Sequence, residues 1–346
     1  MENFKKYILS DKAVIKDALI ALDCLSGDIQ TLFILNDRNQ LIGTVTDGDI
    51  RRGLINGKAV TDNIKEVFFP DFKYITEEDK DVLKIRQFRI NNIELLPCLN
   101  SNKQIVKVYD LKSNKSILPI DVVVMAGGKG ERLRPMTLTT PKPLLKVGDK
   151  CIIDYNIDAL IGYGIENISV TVNYLGEQLV EHYKEKRKNI QVKCVREPNF
   201  LGTIGSVKFV DSFVNDTVLV MNSDLFTNID YEDFYLHFLE NDADMTVAAV
   251  PYSVSIPYGI FELFGREIQG VREKPTYNYY ANAGIYLIKK ELFDLIPDGV
   301  FYNATDFMDM LISTKHKVIR YPLTGYWIDI GKPEDYLKAQ ELVKHL

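Results

Sequence analysis

Four cations lie within fourteen residues around a glycine-rich segment in the middle of the chain. Gly127-Gly128-Lys129-Gly130 supplies the first cation, and Arg132, Arg134 and Lys142 come shortly after it. Glycines let backbone N–H groups approach an anion without a Cβ in the way, and nearby cations add positive charge. This spacing therefore predicts a loop that binds phosphate.

An unbroken apolar run precedes this loop. Ile120 to Ala126 contains three successive valines, which is typical of a strand that is buried on both faces. Two familiar phosphate-binding loops do not fit the residues around the glycines. A Walker A loop requires glycine where the chain has Val123, and the dinucleotide fingerprint requires its third glycine where the chain has Leu133. These positions argue against a kinase and against a dinucleotide oxidoreductase.

The stretch AGGKGERLRPMT, followed by PKPLL, resembles the signature of the sugar-1-phosphate nucleotidyltransferases, also called nucleotide-sugar pyrophosphorylases. Further short elements of that family occur in the same order across residues 121–346. The resemblance implies an α/β fold with a Rossmann-like, doubly wound mixed sheet. It implies that a nucleoside triphosphate and a sugar 1-phosphate react to give a nucleotide sugar and pyrophosphate. It also implies that Arg132 and Lys142 contact the triphosphate and stabilise the transition state.

The periodicity of the apolar residues after residue 120 predicts alternating helices and strands, as a doubly wound domain requires. Helices are predicted at 151–161, 176–186, 203–213, 304–313 and 333–344. Strands are predicted at 167–172, 190–195, 217–221, 245–250, 259–263, 268–273, 281–288 and 317–321.

Two aspartates are predicted to hold a divalent metal. Asp224 comes directly after a predicted buried strand, and ligands bind outside the carboxyl ends of the strands in open α/β sheets. Mg²⁺ favours carboxylate and phosphate oxygens, so one or two aspartates suffice. The segment around Asp329 resembles the W-x-D-x-G-T-P-x-D segment of the family, which implies that Asp329 joins Asp224 in holding Mg²⁺. Helix capping is the alternative role for Asp329.

Residues that recognise the two substrates are implied by the same resemblance. It implies that the nucleotide is bound by residues of the glycine loop and of an E-x-x-x-L-G-T segment, namely Ala126, Gly127, Gly128, Lys129, Gly130, Glu197, Leu201, Gly202 and Thr203. Capping of the predicted helix at 203–213 is an alternative or additional role for Thr203. The sugar phosphate is expected at YG, EKP and N-x-G-x-Y elements, through Gly259, Glu273, Lys274, Asn282 and Gly284.

Residues 1–115 are predicted to form a separate, small α+β domain, joined by a polar linker at 112–116 to a nucleotidyltransferase domain at 120–346. Their helix and strand patterns suggest an internal repeat of about sixty residues, which would pair two half-domains into one core. The stretch LIGTVTDGDIRRGL resembles the end of a CBS motif. A tandem CBS pair would hold the ribose of an adenine nucleotide with Thr46 and Asp49. The alternative is that Thr46 and Asp49 only cap the helix from Ile50.

Composition limits the class of protein and its cellular compartment. The chain has 346 residues, a net charge of -6 and 46% hydrophobic residues, so general nucleic-acid binding is not expected. The four cysteines lie far apart and the four histidines lack zinc spacing, so we expect buried, reduced thiols at Cys24, Cys98, Cys151 and Cys194. We find no signal peptide and no run of eighteen apolar residues, so a cytoplasmic protein without membrane contact is predicted.

The choice of substrate rests on resemblance alone. A chain with a CBS pair before such a domain resembles bacterial mannose-1-phosphate and glucosamine-1-phosphate guanylyltransferases. These include enzymes of the legionaminic-acid branch of surface-glycan synthesis. GTP is therefore the expected nucleotide, with a uridylyl- or thymidylyltransferase as the alternative. A rival interpretation is an adenine-nucleotide-sensing regulatory protein whose transferase domain binds nucleotide without catalysing a reaction. A homo-oligomer is compatible with the sequence.

Overall fold

The computed structural model describes residues 4–79 and 81–345. The chain divides into two compact units, Met1–Leu118 and Pro119–Leu346. The sequence placed this division between residues 115 and 120.

The first unit contains two short three-stranded sheets. Its helices and strands are β1 (Ile8–Ser10), α1 (Ile15–Cys24), β2 (Thr31–Leu35), β3 (Leu41–Thr46), α2 (Asp47–Ile55), β4 (Ile75–Thr76), α3 (Val82–Ile90), β5 (Leu95–Leu99) and β6 (Ile105–Asp110). In each sheet the first strand runs parallel to the second and the second antiparallel to the third. Both halves therefore have the order strand, helix, strand, strand, which is an internal repeat.

Contacts between the halves of this unit are reciprocal. The Gln40 side chain donates to the carbonyl of Asn102 at 3.0 Å, and the Gln104 side chain donates to the carbonyl of Arg38 at 3.1 Å. Gln40 and Gln104 also form an antiparallel bridge. Their separation of 64 residues agrees with the predicted repeat length. Buried residues from both halves, including Phe33 of the first and others of the second, form one hydrophobic core.

The second unit is built on a seven-stranded sheet with helices in its connections. Its helices and strands are β7 (Asp121–Ala126), β8 (Lys146–Val147), β9 (Lys150–Cys151), α4 (Ile152–Gly162), β10 (Ile168–Val172), α5 (Gly176–His182), β11 (Lys193–Arg196), β12 (Thr217–Asn222), β13 (Leu225–Thr227), α6 (Tyr231–Glu240), β14 (Met245–Ser255), β15 (Ile260–Phe264), β16 (Glu267–Arg272), β17 (Thr276–Lys289), α7 (Ala304–Ser313), β18 (Val318–Pro322), β19 (Trp327–Asp329) and α8 (Pro333–Leu342).

The strand order of the large sheet is β11-β10-β7-β12-β17-β14-β18. Strand β17 runs antiparallel to both neighbours, and the other pairings in this sheet are parallel. The predicted mixed α/β sheet is thus confirmed. Strands β13 and β19 form a separate antiparallel pair, and so do β15 and β16.

Strand β7 lies inside the sheet, and its side chains are buried along its whole length. The chain leaves β7 to form β10 on one side and later returns to form β12 on the other. The carboxyl end of β7 is therefore a topological switch point, where open α/β sheets form a ligand-binding crevice. Burial of each valine contributes about 1.5–3 kcal/mol relative to an exposed one, which stabilises the strand that carries the glycine loop.

One predicted helix is wrong. The stretch 203–213 contains only a short 3₁₀ helix, Gly205–Phe209. Gly205 lowers the helix propensity here, and the backbone N–H groups of Ile204 and Gly205 both donate to the carbonyl of Tyr302 at 3.2 Å. These contacts hold the segment against residues 300–302, where only the short 3₁₀ helix forms.

The burial of the cysteines differs from the prediction. Cys24 is exposed, and Cys151 and Cys194 are only partly buried, so the prediction of four buried thiols holds at Cys98 alone, although all four cysteines are free. Within residues 4–79 and 81–345, we find no helix with both the length and the apolar character required to cross a bilayer.

Candidate active site

A cleft of about 410 Å³ opens at the carboxyl ends of β7 and β12. It is bordered by the glycine loop, by the segment after β11 and by the ends of β13 and β19. Its walls are formed by Met125, Ala126, Gly127, Gly128, Gly130, Glu131, Arg132, Leu133, Lys142, Pro143, Glu197, Phe200, Gly202, Thr203, Asn222, Ser223, Asp224, Asp329 and Gly331. The predicted catalytic and metal-binding residues all border this one space.

The glycine loop is held in place from two sides. A methyl group at Gly127 would overlap Oε1 of Glu197 and lie 3.0 Å from its Cδ, so only glycine permits this approach. Gly130 has a φ of +62°, in the left-handed region that favours glycine. Its carbonyl accepts from the Thr137 hydroxyl at 2.8 Å. The loop is thus shaped by neighbours and leaves Gly128 exposed towards the cleft.

Glu197 is a buried carboxyl at the wall of the cleft, with 3% of its surface exposed. Its Oε2 accepts from the backbone N–H of Leu201 at 3.1 Å, which closes the turn that presents Gly202 and Thr203. Burial raises the pKa of this carboxyl, and hydrogen bonds to Leu201 and Thr171 partly oppose that shift. Glu197 therefore ties the segment after β11 to the glycine loop.

Lys142 is a buried lysine that faces both predicted metal ligands. It begins a short 3₁₀ helix between Pro141 and Pro143, and its stem packs beside Gly130. The ammonium forms an ion pair with Asp224 and lies 4.0 Å from Oδ1 of Asp329. A buried lysine is stable only when it is paired, and here both partners are carboxylates of the cleft.

Asp224 and Asp329 are 105 residues apart in sequence, and a small antiparallel ladder brings them together. Leu225 of β13 pairs with Asp329 of β19. The backbone N–H of Ile330 also donates to the carbonyl of Asp224 at 3.0 Å. Both carboxylates therefore lie beside the same space, next to Lys142.

The acidic pair has the donor set that a hard divalent cation requires. Oδ1 of Asp329 is buried and accepts no hydrogen bond from any residue in 4–79 or 81–345. Burial and the neighbouring Asp224 raise the pKa of Asp329, whereas Lys142 and Arg132 lower it. An unsatisfied buried oxygen beside a second carboxylate suits Mg²⁺, which binds one or two protein carboxylates together with substrate phosphates. The residues present fit a magnesium ion.

Arg132 is exposed at the rim of the cleft. Its guanidinium lies against Gly331, where an added Cβ would be 3.1 Å from Nη2. Arg134 is also exposed, forms an ion pair with Glu131 at 3.3 Å and is not among the residues that border the cleft in the described chain. Arg132 is thus the rim arginine that is positioned to face a phosphate.

The predicted nucleotide-binding residues divide into two groups. Most border the cleft, but Lys129 is exposed outside its walls and Leu201 is buried behind them. The Thr203 hydroxyl accepts from the backbone N–H of Ala304 at 2.9 Å, so it caps α7 and not a helix of its own segment. Gly202 has a φ of +80° and lies against the carbonyl of Tyr302, where a Cβ would be 2.5 Å away.

The predicted sugar-phosphate residues lie farther out. Gly284, with a φ of +71°, packs against the side chain of Asn222, which itself borders the cleft. Asn282 is exposed and donates to the Tyr286 hydroxyl at 2.9 Å. The remaining three, Gly259, Glu273 and Lys274, are exposed in the hairpin region around β15 and β16, and Gly259 approaches the Glu273 carboxylate. None of the five predicted sugar-phosphate residues is among the cleft walls in the described chain, and Gly284 reaches them only through Asn222.

Comparison with known proteins agrees with this architecture. A model of the family described as Nucleotidyl transferase matches residues 121–345. The chain belongs to the nucleotidyl transferase family. Mannose-1-phosphate guanyltransferase of Yarrowia lipolytica is 30% identical over 63% of this chain and 62% of its own length. The enzyme of the same name from Saccharomyces cerevisiae is 29% identical over 64% and 63%. This chain therefore spans less than two thirds of the length of these curated relatives.

A solved structure is also similar. HddC from Yersinia pseudotuberculosis complexed with GMP-PN is 25% identical, with a TM-score of 0.50, over 65% of this chain and 99% of that one. In this nucleotidyl transferase the matched region begins with β7 and ends after α8.

Eight of the residues that form the cleft walls were not predicted from the sequence, and Phe200, Asn222 and Gly331 are among them. Phe200 places a ring that is 48% exposed at the cleft wall, 5.7 Å from the ring of Phe301. Asn222 and Gly331 complete the walls next to Gly284 and Arg132. Phe200 stands inside the quoted E-x-x-x-L-G-T segment, and an exposed aromatic beside a phosphate loop is a signal that could have identified it.

A side-chain cluster on α4 and α5 also escaped prediction. Potential ligand atoms of Cys151, Asp154 and His182 lie within 4.8 Å of one another. Asp154 is buried and accepts from His182 and from the Tyr183 hydroxyl, each at 3.0 Å, and Arg187 Nη1 lies 3.3 Å away. Because Asp154 is already satisfied and a guanidinium adjoins it, this cluster stabilises the fold and does not fit a cation.

In the first unit, Thr46 and Asp49 form a reciprocal cap of α2. The backbone N–H of Thr46 donates to Asp49 at 2.8 Å, and the backbone N–H of Asp49 donates to the Thr46 hydroxyl at 3.3 Å. Arg52 adds a hydrogen bond to Asp49 at 2.6 Å. The capping role anticipated as the alternative is thus present.

Proposed function

We propose that this chain is a magnesium-dependent sugar-1-phosphate nucleotidyltransferase that prefers GTP. The observation that carries the proposal is the convergence of Lys142, Asp224 and Asp329 on one cleft beside the glycine loop. Two phosphate esters repel each other, so their reaction requires charge neutralisation and orientation more than an acid–base pair. The two cations and two carboxylates that border the cleft support the proposal.

The reaction needs no enzyme nucleophile. An oxygen of the sugar phosphate attacks the α-phosphorus, the new P–O bond forms, and the bond to the β-phosphate breaks to release pyrophosphate. Glycine-loop N–H groups and Lys142 would orient the triphosphate, and Arg132 would neutralise charge at the rim. Glu197 and Gly202 would position the loop that meets the base.

Asp224 and Asp329 would hold the magnesium ion. Such an ion would neutralise charge that develops on the phosphoryl oxygens. The fit rests on the unsatisfied oxygen of Asp329 and its proximity to Asp224. Lys142 would keep the two carboxylates from repelling each other.

The substrate identities rest on the relatives. Two of them are named as mannose-1-phosphate guanyltransferases, and the similar HddC structure contains GMP-PN. These names favour GTP and a hexose 1-phosphate, and a role in surface-glycan or legionaminic-acid precursor synthesis remains part of the proposal. UTP or dTTP is the alternative nucleotide.

A direct assay tests the reaction and its specificity together. Purified full-length protein is incubated with each common NTP and a panel of hexose 1-phosphates, and released pyrophosphate is measured with and without Mg²⁺. Release that depends on both substrates and on Mg²⁺, and is largest with GTP, is the expected result. Release without a sugar phosphate, or none with any pair, would overturn the proposal.

We further propose that the first unit is a CBS-like regulatory pair that binds an adenine nucleotide at Thr46 and Asp49. Its internal repeat and reciprocal Gln40–Gln104 contact support a paired architecture. The test compares AMP and ATP binding, by calorimetry, in the wild type, Asp49→Ala and Asp81→Ala.

Asp81 is the matched control because it caps α3, accepting from Leu83 and Lys84, and has no predicted ligand role. Loss of either cap should lower the free energy of unfolding by about 1 kcal/mol. Loss of nucleotide binding only in Asp49→Ala would support the regulatory role. Equal nucleotide binding in all three proteins would leave Asp49 as a helix cap alone.

A further inference from the structure

The second unit carries an apolar arm. The arm comprises residues 251–280, which form the outer parts of β14 and β17 and the hairpin β15–β16. Ten large apolar side chains of the arm are between 39% and 77% exposed: Tyr252, Val254, Tyr258, Phe261, Leu263, Phe264, Ile268, Val271, Tyr279 and Tyr280. Exposed apolar surface on this scale usually marks an interaction site.

The apolar side chains of the hairpin share one face. Phe261 lies opposite Val271, and Leu263 lies opposite Ile268, so all four point to the same side of the ribbon. Each is 56% to 64% exposed. Several apolar side chains on one side of a ribbon are the pattern of a sheet that covers a core on that side. Here the apolar side faces solvent.

The hairpin also lacks the support that such a ribbon requires. Within residues 4–79 and 81–345, β15 and β16 form a sheet of two strands only. A two-stranded ribbon is marginally stable in water, and packing of its apolar face against another surface is what stabilises it. A partner that covers this face would therefore stabilise the arm.

The charge of the arm favours a second copy of the same chain as that partner. Three acidic side chains, Glu262, Glu267 and Glu273, are balanced by three basic ones, Arg266, Arg272 and Lys274. The whole chain carries a net charge of -6, so the arm is a neutral surface on an acidic protein. A two-fold contact places the same patch on both subunits, and a balanced patch does not repel its own copy.

The apolar surface of the whole arm is large. Six of the exposed residues are aromatic, and an aromatic side chain buries about 150–250 Å². At their exposed fractions of 56% to 77%, the six present roughly 700 Å² over both faces of the arm, and of the six only Phe261 lies on the hairpin face described above. A stable interface buries about 800 Å² per partner, so the contact must extend beyond that face to the rest of the arm.

We propose that the arm is the contact surface of a two-fold dimer of this chain, in which the face that carries Phe261, Leu263, Ile268 and Val271 packs on the arm of a second copy. The same arm carries Gly259, Glu273 and Lys274. If the proposed function holds, dimerisation also fixes the segment that meets the sugar phosphate. The assembly itself does not depend on that function.

The test measures the mass of the full-length protein in solution by analytical ultracentrifugation across a concentration series. Leu263→Glu puts a charge on the proposed contact face, and Leu337→Glu is the matched control because Leu337 is 67% exposed on α8, against 64% for Leu263. A second variant on the same face, Val271→Lys, guards against a local folding defect. Thermal unfolding and circular dichroism verify that each variant is folded.

We expect a wild-type mass of twice 39.6 kDa, unchanged in Leu337→Glu. Leu263→Glu and Val271→Lys should raise the dimer dissociation constant roughly a hundredfold or more, because each dimer would bury unpaired charges. A monomeric wild type at tens of micromolar would overturn the proposal, and so would a dimer that persists in both contact-face variants. Binding of a monomeric wild type to lipid vesicles, lost in Leu263→Glu, would assign the arm to a membrane surface instead.

Discussion

The backbone N–H of Ile330 donates to the carbonyl of Asp224 at 3.0 Å. This hydrogen bond and the Leu225–Asp329 pairing of β13 with β19 bring two distant chain segments together at the cleft. The acidic pair is therefore held by backbone geometry and not by the side chains alone. Changes that neutralise either carboxylate should leave this scaffold in place.

We predict that Asp224→Asn and Asp329→Asn each lower turnover by about two orders of magnitude or more, because each removes a ligand charge where the phosphoryl group is neutralised. Trp327, the single tryptophan, lies two residues from Asp329 and donates to the carbonyl of Ala283 at 2.9 Å. Its fluorescence should respond to Mg²⁺ in the wild type and much less in either variant.

Asp294→Asn is the matched control for this prediction, because Asp294 is exposed and outside the cleft walls of the described chain. It should leave both the fluorescence titration and the rate unchanged. Near-normal turnover of Asp329→Asn at saturating Mg²⁺ would contradict the assignment of Asp329 as a metal ligand.

Two adjacent glycines provide a second test. A methyl group at Gly127 would overlap the Glu197 carboxylate, whereas a methyl group at Gly128 would meet nothing within 4 Å. We therefore expect Gly127→Ala to cost roughly 1–3 kcal/mol of stability and to raise KM for the triphosphate. Gly128→Ala should change stability by less than about 0.5 kcal/mol.

The clash can be isolated with a double-mutant cycle. If Glu197 causes the loss, the cost of Gly127→Ala should shrink in a Glu197→Ala background, because the overlapping atoms are gone. Equal costs in both backgrounds, measured by chemical denaturation, would show that contact with Glu197 is not the cause.

The strand and loop parts of the site were predictable because local patterns determine them. The apolar run before Gly127 indicates a buried strand, and the position of Asp224 after another such run indicates the edge of a sheet. The meeting of Asp224 with Asp329 was inferred from resemblance, because the β13–β19 pair involves three residues per strand and has no local signal. Helix α6 was missed although Asp230 caps it through Glu232 and Asp233, a pattern that the sequence displays.

Long-range packing explains the remaining differences. The stretch 203–213 has apolar spacing compatible with a helix, yet its donors are satisfied by Tyr302, which is about a hundred residues later. The position of Phe200 at the cleft wall also depends on this packing, because its ring lies 5.7 Å from that of Phe301. Such pairings are visible only after the chain has folded.

Arg132 and Lys274, two of the predicted phosphate-binding cations, should behave differently in steady-state kinetics. Arg132 borders the cleft beside Gly331, so Arg132→Ala should mainly lower kcat, by about tenfold to a hundredfold. Lys274 lies in the exposed arm, so Lys274→Ala should mainly raise KM for the sugar phosphate. Arg134→Ala is the control for loss of a nearby charge and should change each constant less than about threefold. The reverse division between kcat and KM would exchange the two assignments.

Glu197 should make stability depend on pH in a defined direction. Burial raises its pKa in the folded protein above the ordinary value of 4.5, so the folded state holds this proton more tightly than the unfolded state does. The stabilisation from protonated Glu197 is complete below pH 4.5 and is lost as the pH rises through the folded-state pKa.

Glu197→Gln stays neutral at every pH and can still accept from the backbone N–H of Leu201. The unfolding temperature of this variant relative to wild type should therefore increase from pH 4.5 towards pH 8. Paired thermal melts in matched buffers measure this difference, and a constant offset across the range would show that the carboxyl is not perturbed by its burial.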